Sequence, residues 1–296
     1  MTEAPPVRTV GIVGAGFMGS GIAEAVARGG FGVVVHEPDS GPLDRSHTAV
    51  SRSLDRAVRG GKLDADDARQ ALARIDWSDD IRSLAGCDLV IEAVIEDPEI
   101  KGPVFRMLDR MLDPRSIIAS NTSSIPIAQL ASWTLHHERI VGLHFFSPVP
   151  VMTLVEVVVG LDTAPDVIAR AEGFAAAIGK TSIRTKDRAG FVVNVLLVPY
   201  LMSAVRLYDE GFASREDIDR GMTLGAGHPM GPLALCDFIG LDDLHSVCES
   251  LYDEFKRPEY APPPLLKRMV LCGHHGRKTG RGFYEYLPER RAAAAA

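Results

Sequence analysis

TVGIVGAGFMGSGIAEAVARGGFGVVVHE, running from Thr9 to Glu37, decides the architecture. It opens on a short apolar run, turns at Gly14, Gly16 and Gly19, continues with apolar residues at helical spacing to Gly29, and returns to the apolar GVVVHE. Short apolar runs bounded by glycine indicate strands, and apolar residues recurring every three to four positions indicate a helix. Outward from this unit come a charged helical stretch, CDLVIEAV, another helical pattern and SIIAS. That alternation predicts a parallel sheet covered by helices. IVGLHFF and LVEVVVG add two β-rich segments, and a helical run from Pro165 to Ile178 precedes TSIRT.

The strand signal fades at Phe191. Helical patterns dominate SREDIDRGMTL, PLALCDFIGLDDLHSVCESLYDEF and PPPLLKRMVL, with Gly and Pro between them. The expected organisation is α/β, a Rossmann-like doubly wound sheet domain over residues 1–188 followed by a smaller all-helical domain over residues 189–296. The closing RRAAAAA is low-complexity and carries no reading.

The chain has 296 residues, is 46% hydrophobic and carries a formal charge of −7. This argues against a nucleic-acid surface or a polybasic membrane patch and favours a small-molecule partner. Cys87, Cys236, Cys248 and Cys272 show neither CxxC spacing nor the density of a disulfide scaffold, which points to a reducing cytoplasm. MTEAPPVRTV lacks the features of a secretory signal, and the apolar run from Phe191 to Val205, interrupted by Asn194 and Pro199, reads as a buried helix.

GAGFMG directly follows a strand and opens a helix, the context in which GxGxxG binds a dinucleotide. Glycine lets the turn close and the backbone approach a pyrophosphate, which free N–H groups at the helix N-terminus then meet. Gly14, Gly16 and Gly19, with Phe17 and Met18 between them, are the expected cofactor contacts. Glu37 ends the second strand, 23 residues after Gly14, where an acid accepts hydrogen bonds from ribose hydroxyls. A carboxylate there repels a 2′-phosphate, so NAD is expected over NADP, with Arg45 the one nearby cation that argues the other way. His36 reads as a packing residue.

Ligands of doubly wound sheets sit beyond the carboxyl ends of the strands, and SIIAS runs straight into Asn121, Thr122, Ser123 and Ser124. Spacing does not choose among Ser120, Thr122, Ser123 and Ser124, and a polar turn capping a strand is the alternative. His144 ends IVGLH, and Glu156 lies among valines, where an unpaired carboxylate carries a desolvation penalty of several kcal/mol. A His144–Glu156 pair satisfies that acid. It serves either as a general base with its orienting carboxylate, as alcohol oxidation requires, or as a structural ion pair. Asn194 binds substrate at the domain boundary or serves helix packing. Arg45, Arg52, Arg56 and Arg59, spaced by 7, 4 and 3, share a helical face with Ser53. That face either meets an acidic nucleotide tail such as that of CoA or is simply solvated.

GAGFMG, SNTSSIP, LHFFSPVPVMTLVEVV, GFVVNVLLVPYL, GAGHPMGP and KTGRGFYEY together resemble the L-3-hydroxyacyl-CoA dehydrogenase family, particularly its short-chain 3-hydroxybutyryl-CoA type, from about Thr9 to Tyr286. The resemblance implies NAD-dependent interconversion of a short (S)-3-hydroxyacyl-CoA and its 3-ketoacyl-CoA. His144 is then the base, Glu156 its orienting carboxylate, Ser123 the hydroxyl contacting substrate and cofactor, and Asn194 a substrate-side amide. It further implies that Glu96, Lys101 and Lys278 approach NAD, that Ser53, Arg56 and Arg59 approach CoA, that no metal takes part, and that the helical domain forms a homodimer. Val195, Ala189, Thr153 and Ser147 depart from residues frequent in the family. The rival readings are a dehydrogenase of a free hydroxy acid, of the L-gulonate type, and a catalytically idle NAD-binding relative.

Overall fold

The computed structural model describes residues 7–286; the first six and the last ten residues, the alanine tail among them, lie outside them. The chain divides into two compact units, with the boundary between Phe191 and Val192.

The first unit is built on β1 (Thr9–Val13), α1 (Phe17–Arg28), β2 (Gly32–His36), α2 (Ser40–Arg59), α3 (Ala65–Ala73), β3 (Ile75–Ser78), β4 (Leu89–Glu92), α4 (Pro98–Met111) and β5 (Ile117–Ser120). It continues with α5 (Ile127–Ala131), β6 (Ile140–Phe145), β7 (Leu154–Val159), α6 (Pro165–Ala177) and β8 (Thr181–Lys186). The strands form one sheet in the order β3-β2-β1-β4-β5-β6-β7-β8. The chain winds outward from β1 to β3, then returns to β4 on the other side of β1. The carboxyl ends of β1 and β4 therefore form a topological switch point, where such sheets bind ligands.

Burial on both faces explains the continuous apolar runs of β4, β5 and β6. Alternate residues feed two cores. Val10, Ile12, Leu89, Ile91, Val141 and Leu143 face the side covered by α1, α2, α3 and α6. Val13, Val90, Ile118 and Ile140 face the side covered by α4 and α5.

Two features differ from the sequence reading. The charged stretch after β2 is not one helix. Gly60 and Gly61 end α2, the Asp64 carboxylate accepts from Asp66 N at 2.7 Å to cap α3, and the short polar strand IDWS then pairs with β2 as the sheet edge. β7 runs antiparallel to β6, because the connection 146–153 is shorter than a crossover between parallel neighbours requires. That reversal brings His144 of β6 into register with Glu156 of β7.

The second unit comprises α7 (Val193–Asp209), α8 (Arg215–Arg220), a π-helical turn over Gly221–Gly225, α9 (Pro232–Ile239), α10 (Leu241–Phe255) and α11 (Pro264–Leu271). Leu201, Met202, Val205, Leu233, Cys236, Leu244, Cys248, Leu251 and Leu266 form its buried interior. Two buried acids organise the rest. Asp219 accepts from Leu233 N, Ala234 N and Tyr284 Oη, and Asp237 accepts from Phe283 N, Tyr284 N and Tyr286 Oη. The glycines of KTGRGFYEY follow from this docking, since a Cβ on Gly282 would lie 1.9 Å from an Asp237 carboxylate oxygen. Among the described residues no helix is long and apolar enough to cross a membrane.

Candidate active site

The three glycines of the first loop have separate physical jobs. Gly14 has φ +104°, and its N–H donates to His36 O at 2.9 Å, so it turns the chain out of β1. A Cβ on Gly19 would stand 1.9 Å from Gly14 O, so only glycine lets α1 approach the loop that closely. Gly16 meets nothing within 4 Å and leaves open space for a ligand backed by the α1 N-terminus. Phe17 is exposed, while Met18 is partly buried against the core. The Glu37 carboxylate accepts from Ala15 N at 3.1 Å, which fixes the acid on the loop it is expected to serve. His36 is buried, with Nδ1 3.2 Å from Ser78 O, as a packing residue.

The carboxyl ends of β4, β5 and β6 open on the same edge as this loop, because these strands run parallel to β1. There His144 Nδ1 lies 2.7 Å from Glu156 Oε2, with both residues buried. The carboxylate only accepts, so Nδ1 carries the proton and Nε2 of the neutral ring is left as an acceptor. Ser123 Oγ lies 3.1 Å from that Nε2, so of the four hydroxyls left open by spacing, Ser123 is the one beside the imidazole. Asn121 Oδ1 accepts from Phe145 N at 2.9 Å and ties the end of β5 to that of β6. The result is a hydroxyl, a proton-accepting nitrogen and a carboxylate in line at the sheet edge.

Two aromatic rings that sequence spacing did not single out pack on the imidazole. Phe146 lies edge-on at 4.6 Å and Phe191 tilted at 5.3 Å between centroids. Phe191 has φ +50°, a left-handed conformation unusual for a bulky residue. Lys180 was also missed: its Nζ donates to Val149 O and Met152 O, both at 2.6 Å, and pins the loop after β6.

Glu96 accepts from Ser123 N at 3.0 Å, Ser124 N at 3.1 Å, Ser124 Oγ at 3.0 Å and Thr122 Oγ1. Desolvation pushes its carboxyl up, but Lys101, Thr122 and Ser124 outweigh that and hold it below the ordinary value. Lys101 is buried between Glu92 and Glu96. On α2, Arg45, Arg52, Arg56 and Arg59 are exposed and make no ion pair among the described residues. Ser53, on the same helix, is half-buried. Asn194 is the second residue of α7, half-buried, in the second unit. In that unit Lys278 pairs with Asp242 at 2.6 Å and Asp243 at 2.9 Å.

The 3-hydroxyacyl-CoA dehydrogenase NAD binding domain matches residues 9–188, and the 3-hydroxyacyl-CoA dehydrogenase C-terminal domain matches residues 190–286. The chain belongs to the 3-hydroxyacyl-CoA dehydrogenase family. The 3-hydroxybutyryl-CoA dehydrogenase of Mycobacterium tuberculosis is 49% identical over 282 residues, 95% of this chain and 99% of the relative. Human mitochondrial hydroxyacyl-coenzyme A dehydrogenase is 40% identical over 287 residues, 95% of this chain and 91% of that one. The crystal structure of (S)-3-hydroxybutyryl-CoA dehydrogenase PaaH1 from Ralstonia eutropha aligns with a TM-score of 0.89 at 46% identity, covering 95% of this chain and 100% of that one. The cofactor of this family is NAD, and the open space at Gly16 together with the anchored Glu37 fits it.

Proposed function

We propose that the chain interconverts short (S)-3-hydroxyacyl-CoA and 3-ketoacyl-CoA thioesters, such as 3-hydroxybutyryl-CoA and acetoacetyl-CoA. The observation that carries this reading is the Ser123–His144–Glu156 line on the same sheet edge as the glycine loop. NAD, when bound, would supply the hydride acceptor for C3 in oxidation and, as NADH, the hydride donor in reduction. His144 Nε2 takes the proton of the 3-hydroxyl, and the Glu156 carboxylate stabilises the imidazolium that results. Ser123 Oγ orients the same substrate oxygen, and in reduction the imidazolium gives its proton back to it. Gly14, Gly16, Gly19, Phe17, Met18 and Glu37 hold the cofactor.

The thioester preference draws support from the exposed, unpaired arginines of α2, with Arg56 and Arg59 meeting CoA phosphates and Ser53 beside them. Asn194 and Lys278 enter as substrate and cofactor contacts through the family resemblance alone. The exposed Leu196, Phe212, Leu224 and Leu271 of the helical unit support a homodimer that covers them, and the cysteine usage of the sequence supports a cytoplasmic setting. The test of the substrate is NADH oxidation with acetoacetyl-CoA beside free acetoacetate, for the parent chain and for Arg56→Ala/Arg59→Ala. Turnover of the thioester alone, with KM raised severalfold in the double variant, supports the reading. Equal turnover of the free acid overturns it in favour of a hydroxy-acid dehydrogenase.

A further inference from the structure

Glu92 ends β4 and is wholly buried, yet nothing in the proton-transfer line uses it. Its acceptor positions are filled from three directions. Oε1 accepts from Val94 N at 2.8 Å and from Lys101 Nζ at 2.5 Å, and Oε2 accepts from Ser120 Oγ at 2.6 Å. Lys101 is equally enclosed, with 1% of its side chain exposed. A buried ammonium is tolerated only beside compensating charge, and here Glu92 supplies it from below and Glu96, at 3.1 Å, from above. A lysine this enclosed acts through the carboxylates it holds.

Both branches from Glu92 converge on one turn. Through Lys101 the charge reaches Glu96, whose carboxylate gathers Thr122 Oγ1, Ser123 N and Ser124 N. Through Ser120 it reaches Thr122 N, which donates to Ser120 Oγ at 3.1 Å. The backbone of Asn121–Ser124 is thereby held on two sides, and this turn carries the Ser123 hydroxyl to His144 Nε2.

We propose that Glu92 is a positioning residue of the reaction: with Lys101 it sets Glu96 and the Asn121–Ser124 turn so that Ser123 Oγ stands at the imidazole. The proposal rests on the role of Ser123 given above. Glu92 touches neither substrate nor the reacting atoms, and its effect on turnover passes through Ser123.

A double-mutant cycle tests this, with NADH and acetoacetyl-CoA as substrates and melting temperature recorded for every variant. Glu92→Gln keeps the volume and one acceptor but removes the charge that holds Lys101. It lowers kcat by about tenfold or more with KM changed by less than about threefold, as expected when an interaction serves the transition state. In a Ser123→Ala background the same substitution lowers kcat by less than about threefold, because coupled groups do not add. Ser120→Ala, which removes a single hydroxyl from the same branch, shows the same non-additivity at smaller amplitude and serves if Glu92→Gln does not fold. Equal losses in both backgrounds, or unchanged kcat in Glu92→Gln, overturn the proposal. Parent-level kcat in Ser123→Ala overturns instead the role of Ser123 on which it rests.

Discussion

Replacing Glu156 by glutamine isolates the charge behind the catalytic imidazole. The side chain keeps its length and an oxygen that accepts from His144 Nδ1, so the neutral ring is still held. What disappears is the attraction between carboxylate and imidazolium, which exists only after the proton has moved. With charge centres about 4 Å apart and an effective dielectric of about 20, that attraction is worth ~4 kcal/mol. Both residues are buried, so solvent does little to replace it. An amide that turns its NH2 toward Nδ1 adds to the loss by selecting the ring tautomer whose Nε2 is already protonated. The expected outcome is a kcat lower by roughly 10³-fold, since each 1.36 kcal/mol is about tenfold in rate. Steady-state NAD reduction with (S)-3-hydroxybutyryl-CoA, the direction in which His144 takes the proton, measures it, circular dichroism checks the fold, and NADH fluorescence titration should find cofactor affinity unchanged. A variant within about threefold of the parent would refute the reasoning, because the pair would then be structural.

Three other outcomes follow from the geometry. Gly19→Ala drives a Cβ to within 1.9 Å of Gly14 O, so it should lower the melting temperature and weaken NADH binding by more than about tenfold, read by thermal shift and fluorescence. Glu37→Ser removes the carboxylate held on Ala15 N and should raise NADPH turnover relative to NADH by about tenfold or more, read as the ratio of kcat/KM values. Glu24 is 2% exposed, and burial raises its carboxyl above 4.5 despite Ser53, Arg28 and Arg56. The folded chain therefore binds this proton more tightly than the unfolded chain, and ionisation costs stability as pH rises from 4.5 through the folded value. Glu24→Gln should accordingly melt higher than the parent near neutral pH, with the advantage gone below pH 4.5; a lower melting temperature at neutral pH would contradict the sign.

The glycine loop and its strands were legible because their signals are local. GAGFMG needs its glycines wherever a turn, a close approach and a helix meet, and β4 to β6 read as apolar runs because both faces are buried. β3 was not legible, since IDWS is a short edge strand whose exposed positions tolerate Asp and Ser. The need of Glu156 for a partner could be argued from its valine neighbours, but the partner's identity depends on the reversal of β7. Ser123 could not be separated from its neighbouring hydroxyls by spacing, because the choice is made by a turn fixed through contacts with Glu96 and Phe145, residues distant in sequence. Glu92 gave no signal in the sequence, because what distinguishes it is the burial of Lys101 against it. Phe191 gave no signal, because its ring reaches His144 only through a left-handed backbone turn.

The most direct measurement is steady-state oxidation of NADH by acetoacetyl-CoA, with parent and His144→Ala chains assayed side by side. The account predicts rapid turnover by the parent and a kcat lower by about 10²- to 10⁴-fold in the variant, the range general acid–base catalysis supplies, with NADH still bound. A variant as active as the parent, or a parent that binds NADH and leaves acetoacetyl-CoA unreduced, would contradict it.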